Sequence, residues 1–153
     1  MNALELKIPP VFVVFIAAIG IYLTRSIVPV NVLSVEHSKV IFYGVFALAM
    51  AIGITGALTF KLAKTTVNPV EIDKASSLVT HGIFKYSRNP MYLAMLFVLI
   101  GISIRMQNVF SPIFIVMFIA YMNRFQIVPE ERMLSTLFGQ AYASYLKQVR
   151  RWI

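Results

Sequence analysis

Residues 40–60 read VIFYGVFALAMAIGITGALTF, 21 positions without a single Asp, Glu, Lys or Arg. At about 1.5 Å per residue, a helix of that length covers a hydrocarbon core of about 30 Å. Three further stretches are equally free of charge, Ile8 to Thr24, Asn89 to Ile104 and Met106 to Asn123, and each is a helix candidate. Between them they raise the hydrophobic share of the 153 residues to 59% and leave 13% charged, with a mean hydropathy of +0.78. A globule this small cannot bury so much apolar surface, so a freely soluble monomer is excluded. The absence of cysteine excludes disulfides, thiolate metal sites and a cysteine nucleophile, and two histidines are too few for an ordinary zinc site.

Punctuation around these runs sets the expected ends. Pro9 and Pro10 suit an opening helical turn, where a missing N–H costs least, and the short leader before them resembles a retained anchor more than a cleaved signal. Asn89-Pro90 and Ser111-Pro112 each put a capping residue before a proline, so the third and fourth helices are expected to be short, ending near Ile104 and Ile127. They either extend through their flanks or form a thinned or partly buried hairpin around Arg105 to Asn108, and periodicity does not choose between these. After Pro129, Leu134, Leu137, Phe138, Tyr142, Tyr145, Leu146 and Val149 recur at helical spacing, an amphipathic element suited to the membrane interface or to folding back on a loop. Gly139 inside it predicts a kink or a close backbone contact. Lys61 to Arg88, broken by Thr65-Thr66-Val67-Asn68-Pro69 and Ser76-Ser77, reads as an ordered loop, and His37 is expected in a loop on the opposite side.

Charge orients the chain. With both termini inside, Lys7, Lys61, Lys64, Lys74, Lys85, Arg88, Arg124, Arg132, Lys147, Arg150 and Arg151 face the cytoplasm, against Arg25, Lys39 and Arg105 outside. The expected fold is therefore an all-α integral membrane protein of about four transmembrane helices and a cytoplasmic amphipathic C-terminal helix. It forms one domain over residues 1–153, with a two-helix anchor at 1–60 and the functional part at 61–153. The net charge of +8 is suited to membrane lipids with anionic headgroups rather than to nucleic acid.

Three polar clusters fall on the cytoplasmic side. LVTHGIFKYSRNPMY, residues 78–92, gathers His81, Gly82, Tyr86, Arg88, Asn89, Pro90 and Tyr92. A helix start there offers free N–H groups to a carboxylate or phosphate, with Arg88 adding a fork of donors. The plainer use of these residues is an interfacial anchor, arginine on lipid phosphate and tyrosines in the aromatic belt. Asn123, Arg124, Gln126, Glu130 and Glu131 form the second cluster. Two acids in a first helical turn are explained by the helix dipole alone, at roughly 0.3 to 1 kcal/mol each. Their arrival beside Arg124, in a chain with six acidic residues, points instead to a site at the membrane border. The third cluster, Arg150, Arg151 and Trp152, suits a headgroup anchor or an arginine closing over a bound anion.

Arg88, Asn89, Pro90 and Tyr92, followed by Glu130, Glu131, Phe138, Gly139 and Tyr142, resemble the hallmark of the isoprenylcysteine carboxyl methyltransferase-like and phospholipid methyltransferase membrane enzymes: Arg-His-Pro-x-Tyr, then paired glutamates before a Phe-Gly-x-x-Tyr helix. The resemblance covers roughly Thr65 to Ile153, with Asn89 in place of the histidine and Ile127 where eukaryotic members carry an arginine. It implies S-adenosylmethionine bound without a Rossmann fold, between the third and fourth helices and the tail. Glu130 or Glu131 would face the cofactor's ammonium or ribose. Arg151 or the amides near Asn89 and Pro90 would receive its carboxylate, and Tyr86 and Tyr92 its sulfonium, with His81 and Gly82 nearby. Arg124, with Arg88 behind it, would hold a lipophilic or lipid acceptor. A reductase using NADPH and a non-catalytic lipid-binding subunit are the competing readings, the first disfavoured because paired acids repel phosphates.

Overall fold

The computed structural model describes residues 5–28, 32–63 and 77–153, and every regular element of more than one residue among them is helical. Helix α1 spans Pro10–Thr24, α2 Val35–Leu62, α3 Pro90–Met106, α4 Ser111–Tyr121 and α5 Val128–Gln148. A 3₁₀ turn at Gly82–Lys85 precedes α3, and a π-turn at Met122–Ile127 joins α4 to α5 without a break. The interrupted loop read from Thr65 to Ser76 lies outside the described residues.

α2 and the continuous Ser111–Gln148 helix are long and apolar enough to cross a membrane, while α1 and α3 are shorter apolar helices. α2 packs chiefly on α3. Small residues let the two backbones close in: Gly53 faces Ala94, Gly56 faces Met91 and Pro90, and Gly101 of α3 faces Phe42 and Val45. α1 lies on α3 and α4, with Gly20 beneath the Phe114 ring. Ala17, Ile21, Tyr92, Leu99, Phe118, Met122 and Ile127 form the buried core. Phe12, Phe15 and Ile16 of α1, Val40 and Tyr43 of α2, and Val116 and Met117 of α4 stay exposed, an apolar perimeter suited to lipid.

Amide side chains secure the α3–α4 turn. Gln107, in the left-handed conformation at φ +48°, exchanges two hydrogen bonds with the backbone of Leu33, at 2.7 and 2.8 Å. Buried Asn108 donates to the Ile21 carbonyl at 2.5 Å and to Thr24 Oγ1 at 2.8 Å, and its Oδ1 accepts the Phe110 N–H at 2.8 Å.

Several element ends differ from the sequence reading. α2 begins at Val35, ahead of Glu36 and Lys39, because Ser34 caps it by accepting the His37 N–H. His37 therefore lies in a helical turn, its Nδ1 2.6 Å from Ser34 Oγ, and not in a loop. Ser111 stands inside the first turn of α4 and does not cap it. The fourth helix and the amphipathic element are one helix, since proline in a first turn, here Pro129, needs no upstream break when the π-turn has already released the preceding carbonyls. Gly139 makes the kink, at φ +50° and ψ −122°, while a Cβ added there would meet no other part of the described residues within 4 Å, so the kink comes without a close tertiary contact among them.

The π-turn also sets the register of α5. It inserts about one residue, or about 100°, so positions eight apart across it come to within about 20° rather than the roughly 80° of an uninterrupted α-helix. Asn123 thus shares a face with Glu131, and Arg124 with Arg132.

Candidate active site

The polar residues converge where α3 begins, α5 begins and the chain returns after α5. At Val149 the backbone turns extended, φ −124° and ψ 134°, and residues 149–153 run back across the start of α3. The Arg88 N–H donates to the Arg150 carbonyl at 3.1 Å, and Asn89 Nδ2 to the Arg151 carbonyl at 2.9 Å. Asn89 occupies the N-cap position, but its side chain is spent on this contact and makes no capping bond to α3.

Glu131 is the hub. Arg88 Nη2 reaches its Oε1 at 2.6 Å, and Arg151 approaches through Nε to Oε1 at 3.2 Å and Nη2 to Oε2 at 2.6 Å. The side chains of Arg88, Glu131 and Arg151 are 12%, 17% and 33% exposed, so the arrangement carries a net positive charge with little water around Arg88. Arg88 Nη1 also donates to the Val149 carbonyl at 2.7 Å and the Leu146 carbonyl at 3.3 Å, closing the end of α5. Its buried Nε has no hydrogen-bond partner among the described residues.

Beside the hub, Glu130 accepts the Tyr92 hydroxyl through Oε1. The apolar part of the long helix ends at Val128, so Glu130 stands beyond it. Burial pushes its carboxyl up to about 8, the Tyr92 hydrogen bond works against that rise, and the Glu131 charge adds to it. No cationic side chain pairs with Glu130 among the described residues. A buried carboxyl with one hydroxyl donor and no cation is suited to an incoming ammonium group, whose charge favours the ionised form.

α5 folds its apolar face back on the residues ahead of α3. Tyr142, Tyr145 and Val149 pack with Leu78, Leu134, Phe138 and Leu146, and the Tyr145 hydroxyl donates to the Phe84 carbonyl at 2.7 Å. Burial raises the Tyr145 hydroxyl to about 12, so it stays a donor throughout the physiological range. Between these elements runs an open groove of about 630 Å³, lined by Leu78, Thr80, Lys85, Ser144, Tyr145 and Gln148 among others.

Of the residues singled out from sequence, Arg88, Asn89, Glu131 and Arg151 come together, with Pro90, Tyr92 and Glu130 against them. His81 and Gly82 are exposed at the 3₁₀ turn, Gly82 at φ +61° over Thr59, and Tyr86 is 76% exposed. No side-chain hydrogen bond links these three to the hub among the described residues. Arg124 is half-exposed and turned to Glu5, 3.1 Å away. Sequence reasoning missed the partnership of Trp152 Nε1 with Asn123 Oδ1, 3.2 Å, and the roles of Glu5 and Arg132. The scarcity of acids could have drawn attention to Glu5, but nothing local in the sequence pairs it with residues over a hundred positions away.

An uncharacterized protein of Haemophilus influenzae (strain ATCC 51907 / DSM 11121 / KW20 / Rd) is 36% identical over 63 residues, which make up 41% of this chain and all of that protein. Residues 38–141, reaching from the first turns of α2 past the kink in α5 and enclosing Arg88, Glu130 and Glu131, match the phospholipid methyltransferase family. By that match, over more than half of its length, the chain belongs to the phospholipid methyltransferase family.

Proposed function

We propose that the protein transfers a methyl group from S-adenosylmethionine to a lipophilic or membrane-associated acceptor, a carboxylate or an amine, that enters from the bilayer. The observation that carries this reading is the placing side by side of a buried carboxyl without a cation, Glu130, and an arginine-rich hub at Arg88, Glu131 and Arg151. The cofactor's amino-acid part carries the complementary pair, an ammonium and a carboxylate. Glu130 would take the ammonium, and Arg151, the more exposed arginine, would turn from Glu131 to the carboxylate while Arg88 keeps Glu131 in place. The nearby groove is of a size that suits a nucleoside.

When bound, the cofactor supplies an electrophilic methyl group on a sulfonium. The chain's own residues need supply no covalent intermediate, because in-line displacement depends on positioning and on excluding water. Tyr92 holds Glu130 in a fixed orientation, and residues 149–153 close the site from the aqueous side. A carboxylate acceptor reacts without a base, whereas an amine reacts in its neutral form. Arg124, half-exposed in the π-turn, would hold an anionic acceptor. In this reading the bundle is multi-pass, residues 1–60 anchor it, 61–153 bind and react, and both termini and the site face the cytoplasm. His81, Gly82 and Tyr86 would line the aqueous entrance.

The test is a methylation assay of lipid extracts with labelled S-adenosylmethionine, joined to mass spectrometry of the purified protein for retained S-adenosylhomocysteine and titration of S-adenosylmethionine against NADPH. Label transfer with selective binding of the methyl donor supports the proposal. Selective binding of NADPH indicates a reductase, and binding of neither leaves a lipid-binding subunit.

A further inference from the structure

A second charged cluster lies around the π-turn. Glu5, with its side chain 2% exposed, accepts Arg124 Nη1 at 3.1 Å and Arg132 Nη2 at 2.8 Å on the same oxygen, Oε1. The segment carrying it is strapped to the turn, the Leu6 N–H donating to the Phe125 carbonyl at 3.0 Å and Gln126 Nε2 to the Ile8 carbonyl at 2.7 Å. Both arginines stay half-exposed, at 50% and 55%, so each has guanidinium donors facing outward. The register shift of the π-turn is what puts them on one face.

We infer that Arg124 and Arg132 form a two-armed site for the phosphate of an anionic membrane lipid, and that Glu5 occupies the site as an internal carboxylate that the phosphate displaces. Two guanidinium groups against one carboxylate leave a net charge of +1, with exposed Lys7 adding to it. A phosphodiester satisfies two converging arginines better than a single carboxylate oxygen does, because it offers separate oxygens to each. The source is a lipid because of the surroundings. Arg124 lies over the Phe125 ring, which packs on Tyr121, and the exposed apolar faces of α1 and α4 end near it, which in the membrane-spanning reading is where headgroups lie. The inference deepens the acceptor role proposed for Arg124, and it rests on that reading only for calling the bound lipid an acceptor; binding itself needs no methyl donor.

Native mass spectrometry of the full chain from a zwitterionic detergent, titrated with phosphatidylglycerol, phosphatidylcholine or inorganic phosphate, tests it. The expected result is a preference for phosphatidylglycerol, increased about fivefold to tenfold in Glu5→Gln and reduced by a similar factor in Arg132→Gln, with phosphatidylcholine unaffected. Folded Glu5→Gln protein with unchanged phosphatidylglycerol affinity overturns the competitor role, and inorganic phosphate binding as tightly as phosphatidylglycerol overturns the lipid assignment. Should Glu5→Gln fail to fold, Arg132→Gln decides, since unchanged affinity in that variant refutes the site. Loss of S-adenosylmethionine binding in a parallel titration would sink the methyl-transfer reading and leave these lipid outcomes intact.

Discussion

Replacing Arg88 with methionine, which keeps much of the side chain's apolar length and removes its charge, tests the ordering of the Glu131 hub. The variant loses the 2.6 Å ion pair to Glu131 and the bonds to the carbonyls of Val149 and Leu146, at 2.7 and 3.3 Å. Breaking a fully buried pair costs about 3 to 5 kcal/mol, but Glu131 here keeps Arg151, so the expected loss is about 3 kcal/mol. Arg151→Met removes a partner that is a third exposed, and solvent screening reduces its cost to about 1 kcal/mol. Glu131→Gln leaves two guanidinium groups facing each other, at about 2 to 3 kcal/mol. After that change, removing Arg151 relieves repulsion, so the double variant Glu131→Gln/Arg151→Met should be no less stable than Glu131→Gln alone. Equilibrium unfolding in mixed micelles with increasing denaturing detergent measures the series. Equal losses for Arg88→Met and Arg151→Met, or strictly additive losses in the double variant, would refute the hub as the element that fixes the returning chain to α3.

Glu130 makes stability depend on pH in a defined direction. Its folded value of about 8 lies above the ordinary 4.5, so its contribution is complete below about 4.5 and is lost as pH rises through about 8. The wild-type unfolding temperature should fall across that window, and Glu130→Gln should flatten the fall. Gly20→Ala places a Cβ inside the Phe114 ring and should cost about 1 to 3 kcal/mol, whereas Gly44→Ala, facing open space on α2, should be neutral or stabilise by up to about 1 kcal/mol; unfolding curves of the two variants check the contrast. Asn108→Ala removes the donor to Ile21 and Thr24 and should cost about 2 to 3 kcal/mol, measured in the same way; a loss no larger than that of an exposed surface substitution would show that the α3–α4 turn is held by something else.

What the sequence alone determined is local. The uncharged runs located the helices, because each must satisfy its backbone within itself wherever water is scarce, and Pro10, Pro90 and Pro112 marked their first turns. Arg88, Glu130 and Glu131 were legible as candidate site residues through their motif, and the Gly139 kink through its residue type. Only the tertiary structure decided how these pieces face one another. The π-turn leaves no signature in composition, yet its rotation of about 100° aims Glu131 at the returning chain and pairs Arg124 with Arg132. Asn89 read as a cap because caps are a local habit, and it bonds Arg151 instead because the chain returns there. Glu5 becomes a buried partner of two arginines more than a hundred residues away, a contact between charges that no periodicity encodes. Helix formation follows from neighbours in the chain, whereas ion pairing depends on distance in space, and that distance exists only after the helices have packed.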